Sequence, residues 1–166
     1  MDDYQTFLNQ KAISAPPVGF NPNNLSDELF DFQRDVVSWA CRRGRSALFA
    51  GTGLGKTFMQ LSWANELYES TGERTIIFTP LAVAAQTEKE AAHFGIDAKK
   101  ATKQGDTNAP IVITNYHKID HFDLSKYGGV VLDESSILKN ESGKFRNRLV
   151  TECEQIPYRL AATATP

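Results

Sequence analysis

Apolar positions recur in two rhythms along this chain, and their alternation predicts its architecture. Short runs rich in β-branched residues occur at 46–50, Thr75-Ile76-Ile77-Phe78-Thr79, Ile111-Val112-Ile113-Thr114, Val130-Val131-Leu132-Asp133 and Tyr158-Arg159-Leu160-Ala161-Ala162. Between the first two, Phe58, Leu61, Ala64 and Leu67 recur at helical spacing and predict a helix over 55–70. Two further helices are expected over roughly 81–94, closed by Gly95, and roughly 142–153. Uninterrupted apolar strands separated by amphipathic helices imply an α/β fold, a mostly parallel sheet with helices on both faces. Ligands in such folds bind where the strands end at their C-terminal tips.

The N-terminal stretch has a different texture. Residues 1–25 read as an appendage, in which Tyr4, Phe7, Leu8 and Lys11 fit one short amphipathic helix. The run Ala15-Pro16-Pro17-Val18-Gly19-Phe20-Asn21-Pro22-Asn23-Asn24 excludes regular structure through its prolines and turn formers. Residues 26–166 then form one domain. Ser26 or Asp27 can cap a helix carrying Phe30, Val36, Val37, Trp39 and Ala40, which Gly44 would end. Trp39 and Trp63 sit on apolar helical faces and are expected in the core, whereas His93 and His121 lack ligand spacing and are expected at the surface.

Composition adds exclusions more than identifications. Net charge is −2, from 18 basic and 20 acidic residues, so bulk electrostatics do not point to nucleic acid and motifs must carry any such claim. Cys41 and Cys153 are the only cysteines and show neither disulfide framework nor metal-ligand spacing, which suggests a reducing, cytoplasmic setting. No apolar run approaches the length of a membrane span.

The chemistry lies at the strand ends. Ala50-Gly51-Thr52-Gly53-Leu54-Gly55-Lys56-Thr57 is a glycine-rich turn between a strand and a helix, with Ala50 where the strict phosphate-loop pattern has glycine. Backbone N–H groups of Thr52, Gly53, Leu54 and Gly55 point at the helix N-terminus, where the dipole adds positive partial charge and a phosphate binds. Lys56 would reach the β- and γ-phosphates of ATP, and the Thr57 hydroxyl would ligate Mg²⁺. A chance Gly-Lys-Thr in an ordinary turn is the competing reading, disfavoured by the flanking strand and helix. The strand Val130–Leu132 ends in Asp133 and Glu134, which suit magnesium binding and general-base activation of water respectively. A strand that merely exits into an acidic loop would look the same, but the phosphate loop upstream favours the catalytic pair.

Asp133-Glu134-Ser135-Ser136-Ile137-Leu138-Lys139-Asn140 resembles the Asp-Glu-Ala-His box of superfamily-two helicases, and its trailing Leu-Lys-Asn is similar to that of the Swi/Snf-type DNA translocases. Other segments follow in the family's order. Leu29-Phe30-Asp31-Phe32-Gln33-Arg34 resembles the Q motif, which implies that Gln33 reads the adenine edge; Phe30 could stack on the base or serve as a boundary aromatic. Thr79-Pro80-Leu81-Ala82-Val83 with Gln86-Thr87 resembles motif Ia, and Val112-Ile113-Thr114-Asn115-Tyr116 motif Ib. That implies nucleic-acid contact by Thr79, Pro80, Gln86, Thr114 and Asn115, although such residues also cap helices. Ala161-Ala162-Thr163-Ala164-Thr165-Pro166 resembles motif III and implies coupling roles for Thr163 and Thr165.

The resemblance covers roughly residues 29–166 and implies the N-terminal RecA-like lobe of an ATP-dependent DNA translocase. It is nearest to prokaryotic and phage members, which are often encoded beside a DNA-modifying enzyme. Ser135-Ser136 depart from the usual Ala-His, so coupling would run through a hydroxyl. The chain ends at motif III, which implies that the second lobe and its arginine finger come from a parent protein, and that the lobe alone is a weak ATPase. Duplex DNA is the expected substrate. Two rivals stay open: a phosphate-loop NTPase that never touches nucleic acid, and a lobe that binds nucleotide or a partner without turnover.

Overall fold

The computed structural model describes residues 17–139 and 142–165. One six-stranded sheet is built from β1 (Arg45–Phe49), β2 (Thr75–Thr79), β3 (Ala98–Lys100), β4 (Ile111–Asn115), β5 (Gly129–Asp133) and β6 (Tyr158–Thr163). Its order is β1-β6-β5-β2-β4-β3, and every pairing is parallel. The helices are α1 (Asp31–Arg43), α2 (Lys56–Thr71), α3 (Ala84–His93) and α4 (Gly143–Glu154).

Period-two alternation divides the strands between two cores. Ile77, Ile111, Ile113 and Val131 face α1, α2 and α3 and pack with Val37, Leu61, Trp63 and Leu67. Their neighbours Ile76, Phe78, Val112 and Val130 face the opposite side, where Leu149 and Cys153 of α4 and Tyr116, Ile119 and Leu124 from short 3-10 turns cover them. Both faces of β2 are buried, which is why its five residues read as a continuous apolar run.

The five expected strands and three of the helices form within a few residues of their predicted bounds. β3 was not foreseen, because three residues with two exposed lysines carry no strand signal. Helix α1 starts at Asp31 rather than after Ser26 or Asp27. Ser26 instead closes a turn: its carbonyl accepts the Leu29 N–H at 3.2 Å and its hydroxyl accepts the Glu28 N–H at 3.2 Å. Trp63 is fully buried, but Trp39 is 45% exposed, contrary to expectation. The buried stripe of α1 runs through Gln33, Val37, Ala40 and Cys41, and a residue two positions beyond Val37 turns to the far side of the helix.

Residues 17–25 lack regular structure, as their prolines require, yet they are packed onto the lobe instead of hanging from it. The Phe20 ring meets Tyr158 edge-on at 5.5 Å and leans on Trp63. The buried Glu66 carboxylate of α2 accepts the Asn23 N–H at 2.6 Å and the Asn24 N–H at 3.2 Å. The amphipathic helix expected around Tyr4–Lys11 lies outside the described residues.

Both cysteines are buried, and burial pushes each thiol up from 9.0 to about 12. A raised pKa means the folded state holds these protons where the unfolded chain has lost them. The thiols therefore favour folding below pH 9.0, and that contribution fades as pH climbs from there toward 12. Thiolate is the reactive species. Ellman's reagent at pH 8 is expected to leave native protein unlabelled and to label both cysteines after denaturation; rapid native labelling of either would contradict the packing.

Candidate nucleotide-binding site

The strand order brings three C-terminal tips side by side. β1 runs into the glycine-rich turn 50–55, β5 ends at Asp133, and β6, lying between them, ends at Thr163. Parallel register aligns the tips, pairing Phe49 with Thr163 and Asp133 with Ala162. A cleft of about 900 Å³ opens over them, and Gly53, Gly55, Lys56, Thr57, Asp133 and Glu134 all line it.

The turn adopts the shape its glycines allow. Gly53 and Gly55 have φ of 83° and 75°, in the left-handed region that a side chain resists. A Cβ at Gly55 would collide with Nε2 of Gln33. Gln33 is buried against the turn, donating from Nε2 to the Leu54 carbonyl at 3.0 Å while its Oε1 accepts the Phe30 N–H at 3.0 Å. Its side chain thus clamps the start of α1 to the loop, with one Nε2 hydrogen left to offer. Lys56 Nζ donates to the carbonyls of Ala50 at 2.9 Å and Gly51 at 3.2 Å, curling over the space an anion can fill. With exposed backbone N–H donors at the start of α2 and an ammonium beside them, the residues fit a polyphosphate.

Asp133 and Glu134 sit side by side in different surroundings. Asp133 is buried, and burial pushes its carboxyl above the ordinary range despite the hydrogen bond it accepts from Gln60 Nε2 at 2.7 Å. Glu134 is pulled below its ordinary value, first by the Thr163 hydroxyl and then by that of Ser136, each donating to Oε1 at 2.8 Å. Its backbone φ is 49°, a left-handed conformation that costs a non-glycine residue roughly 1–2 kcal/mol. That turn carries the side chain back over the tip of β6. Thr163 in turn accepts the Thr165 N–H at 3.1 Å. The Thr57 hydroxyl and the Asp133 carboxylate line the same cleft and could hold a hard cation such as Mg²⁺, while Glu134 Oε2 remains available to accept a proton.

Residues expected to touch nucleic acid divide. Thr79 and Thr114 are buried, and the Thr79 hydroxyl donates to the Pro80 carbonyl at 3.1 Å and the Thr114 carbonyl at 3.3 Å. Their burial follows from β2 and β4 being strands covered on both faces, and the Thr114 hydroxyl finds no partner among the described residues. Gln86 is exposed, and Pro80 and Asn115 are half-buried. Pro80 and Gln86 line the cleft itself.

Gln60 and the Tyr116 hydroxyl went unread in the sequence as contributors to the cleft, whereas the serine box was expected to act through a hydroxyl. Gln60 fixes Asp133, Ser136 fixes Glu134, and the Tyr116 hydroxyl donates to the Asp133 carbonyl at 2.7 Å. Phe58 and Phe94, stacked with centroids 3.6 Å apart, wall the cleft. His93, exposed as expected, also lines it. A signal for Gln60 existed: it is a polar residue one turn beyond Lys56, among the apolar Phe58, Met59 and Leu61.

Replacing Gln60 by leucine leaves a buried carboxylate without its donor. A loss of about 1–3 kcal/mol is expected in chemical denaturation. The Asp133 carboxyl is expected to titrate higher still in a ¹³C NMR pH series; an unchanged titration would show that the Gln60 bond does not matter.

Residues 25–166 match the family described as the type III restriction enzyme res subunit. No curated protein matches the chain. Among solved structures, the UvsW helicase of bacteriophage T4 is similar at 16% identity and a TM-score of 0.71, over 98% of this chain and 59% of that one. A second T4 UvsW structure gives 16% identity and a TM-score of 0.72, over 98% of this chain and 34% of that one. The SWI2/SNF2 ATPase core of Sulfolobus solfataricus, solved in complex with dsDNA, gives 20% identity and a TM-score of 0.70 over 89% of this chain. This chain spans 34% of that protein's length. The chain belongs to the family of the type III restriction enzyme res subunit, and its fold is RecA-like, shared with the UvsW and SWI2/SNF2 structures.

Proposed function

We propose that this lobe binds ATP with Mg²⁺ and, together with a second RecA-like lobe, hydrolyses it to drive movement on DNA. The observation that carries the reading is the convergence of Lys56, Thr57, Asp133 and Glu134 on one cleft at adjacent strand tips. Among the described residues, no helix is long and apolar enough to cross a membrane.

In this reading the amides of Thr52, Gly53, Leu54 and Gly55 receive the phosphates. Lys56 exchanges its bonds to the Ala50 and Gly51 carbonyls for the β- and γ-phosphate oxygens. Thr57 and Asp133 would hold the metal ion, which would neutralise charge on the phosphate chain. Glu134 orients a water and accepts its proton at Oε2, since Oε1 is engaged by Thr163 and Ser136. Gln33 offers its remaining Nε2 hydrogen to the base. Thr163 couples Glu134 to the strand end that faces the second lobe, so the serine box reaches the coupling segment through hydroxyls. The second lobe contributes an arginine, worth several orders of magnitude in rate.

DNA contact falls to Pro80, Gln86 and Asn115, not to the buried Thr79 and Thr114. Duplex DNA is the proposed track, supported by the Leu138-Lys139-Asn140 resemblance. The dsDNA-bound SWI2/SNF2 core supports it further through its shared fold. A DNA-modifying enzyme is the proposed partner, in line with the restriction family.

Fluorescent ATP-analogue binding and ATP turnover test the reading. The chain is expected to bind nucleotide, with Lys56→Ala weakening affinity at least tenfold, about 1.4 kcal/mol. Glu134→Gln should keep binding and abolish turnover. Turnover should be slow for the lobe alone and rise with duplex DNA once a second lobe is joined. A folded sample that binds no nucleotide would refute the proposal, while binding without any DNA stimulation of the two-lobe protein would favour an NTPase acting elsewhere.

A further inference from the structure

Four large apolar side chains that are exposed, Phe32, Trp39, Phe49 and Leu54, line one groove of about 330 Å³ with half-buried Val36 and buried Met59. Phe32, Val36 and Trp39 recur at helical spacing and give α1 a second apolar stripe beside its buried one. The other wall is β1, the end strand of the sheet. Its Gly44 carbonyl accepts the Arg159 N–H and its Ala50 N–H donates to the Thr163 carbonyl, so both face β6. Alternation then turns the amides and carbonyls of Arg45, Ala47 and Phe49 outward, where no strand among the described residues pairs with them. An apolar groove beside an open strand edge is a surface suited to strand addition.

We propose that the chain's own residues 1–16 cover this groove, with 12–16 pairing antiparallel to β1 and Tyr4, Phe7 and Leu8 seated against the outer stripe of α1. The point where that segment joins the lobe carries the choice of occupant. The Val18 N–H donates to the Arg43 carbonyl at 3.3 Å and the Phe20 N–H to the Cys41 carbonyl at 3.0 Å. This stretch therefore runs antiparallel to the end of α1 and, traced toward the N-terminus, heads for Arg45. Its packing there is close. A Cβ on Gly19 would collide with the Cys41 carbonyl, and one on Gly44 would lie 2.8 Å from the Gly19 Cα. Residues 1–16 thus set out from the head of the open edge. The five residues of β1 span about 17 Å, whereas the segment can extend to roughly 50 Å, enough to follow the edge and return over α1. Ala12-Ile13-Ser14-Ala15 suits an edge strand, where the N–H-lacking Pro16 and Pro17 are tolerated. A tethered segment meets the groove at an effective concentration in the millimolar range, which favours it over a second copy of the chain. Docking there braces the glycine-rich turn from outside, because Gly51 and Leu54 line the groove. The proposal is independent of the nucleotide reading.

Amide hydrogen exchange of the full chain, followed by NMR, tests it. The Ala47 and Phe49 amides should exchange at least about a hundredfold more slowly than in an unstructured peptide, equally at two protein concentrations and in a monomeric sample. In the double variant Phe7→Asp/Ile13→Asp both amides should exchange rapidly, while Ile77 and Val131 stay protected and report an intact sheet. Acrylamide should then quench tryptophan fluorescence more strongly, a change that reads Trp39 because Trp63 is fully buried. Nuclear Overhauser contacts between residues 12–16 and β1 in the parent give the answer even if the double variant does not fold. Rapid exchange of Ala47 and Phe49 in the parent, absence of those contacts, or unchanged protection in a folded double variant would each overturn the proposal. Protection that grows with concentration alongside a sedimenting dimer would overturn it in favour of a second copy.

Discussion

One hydrogen bond, from Gln60 Nε2 to Asp133 Oδ1, joins the two halves of the site. Gln60 belongs to the helix that issues from the glycine-rich turn after β1, and Asp133 ends β5, two places from β1 in the sheet. The bond is buried, so it forms in a medium of low effective dielectric where a charge-assisted bond is strong and its loss leaves an unpaired group. It fixes the distance between the place where phosphate can bind and the carboxylate that can hold a metal ion. Parallel register does the rest, because β6 is interposed between β1 and β5 and its last residue, Thr163, must then arrive at Glu134.

The neighbouring carboxylates illustrate how environment assigns chemistry. Burial raises Asp133, while two hydroxyl donors lower Glu134. The pair is pulled apart although only one peptide bond separates them. Divergent environments of this kind are what an active site needs when two carboxylates are to perform different tasks. The left-handed turn at Glu134 is the local cost of reaching Thr163, and the hydroxyl contacts offset it. Ser136 occupies the position where related boxes carry histidine, and it reaches Glu134 directly.

The fold was legible because it rests on periodicity. Strands buried on both faces read as apolar runs, and α2 announced itself through Phe58, Leu61, Ala64 and Leu67. The glycine-rich turn 50–55 and the two carboxylates at the tip of β5 stood out because adjacent residues in the sequence create them. What escaped depends on contacts between distant segments. Trp39 is exposed because α1 turns Val37 and Cys41 inward, and no sequence feature distinguishes that stripe from one that includes Trp39. Thr79 and Thr114 looked like ligands at strand ends, but the neighbouring strands bury them. Residues 17–25 looked like an appendage because Pro and Asn exclude regular structure, and regular structure is not required for packing. Phe20 and the amides of Asn23 and Asn24 find their partners on α2 and β6.

Helix α2 carries the deepest tension in the lobe. It is buried from Phe58 to Ala64, yet Gln60, Ser62 and Glu66 are polar. Apolar residues of equal volume would pack there without desolvating any polar group, so each polar side chain weakens the core unless a partner meets it. Gln60 meets Asp133 and so serves the cleft. Glu66 meets the amides of the segment leading into α1, which connects the core to the Gln33 clamp over the phosphate loop. Both bonds therefore link α2 to the segments that surround the loop from which it starts. A purely apolar α2 would hold the sheet as well or better, but it would leave the glycine-rich turn, the carboxylate strand and the Gln33 clamp free to drift relative to one another. The polar interior of this helix is best understood as giving up some core stability in exchange for fixed geometry at the cleft.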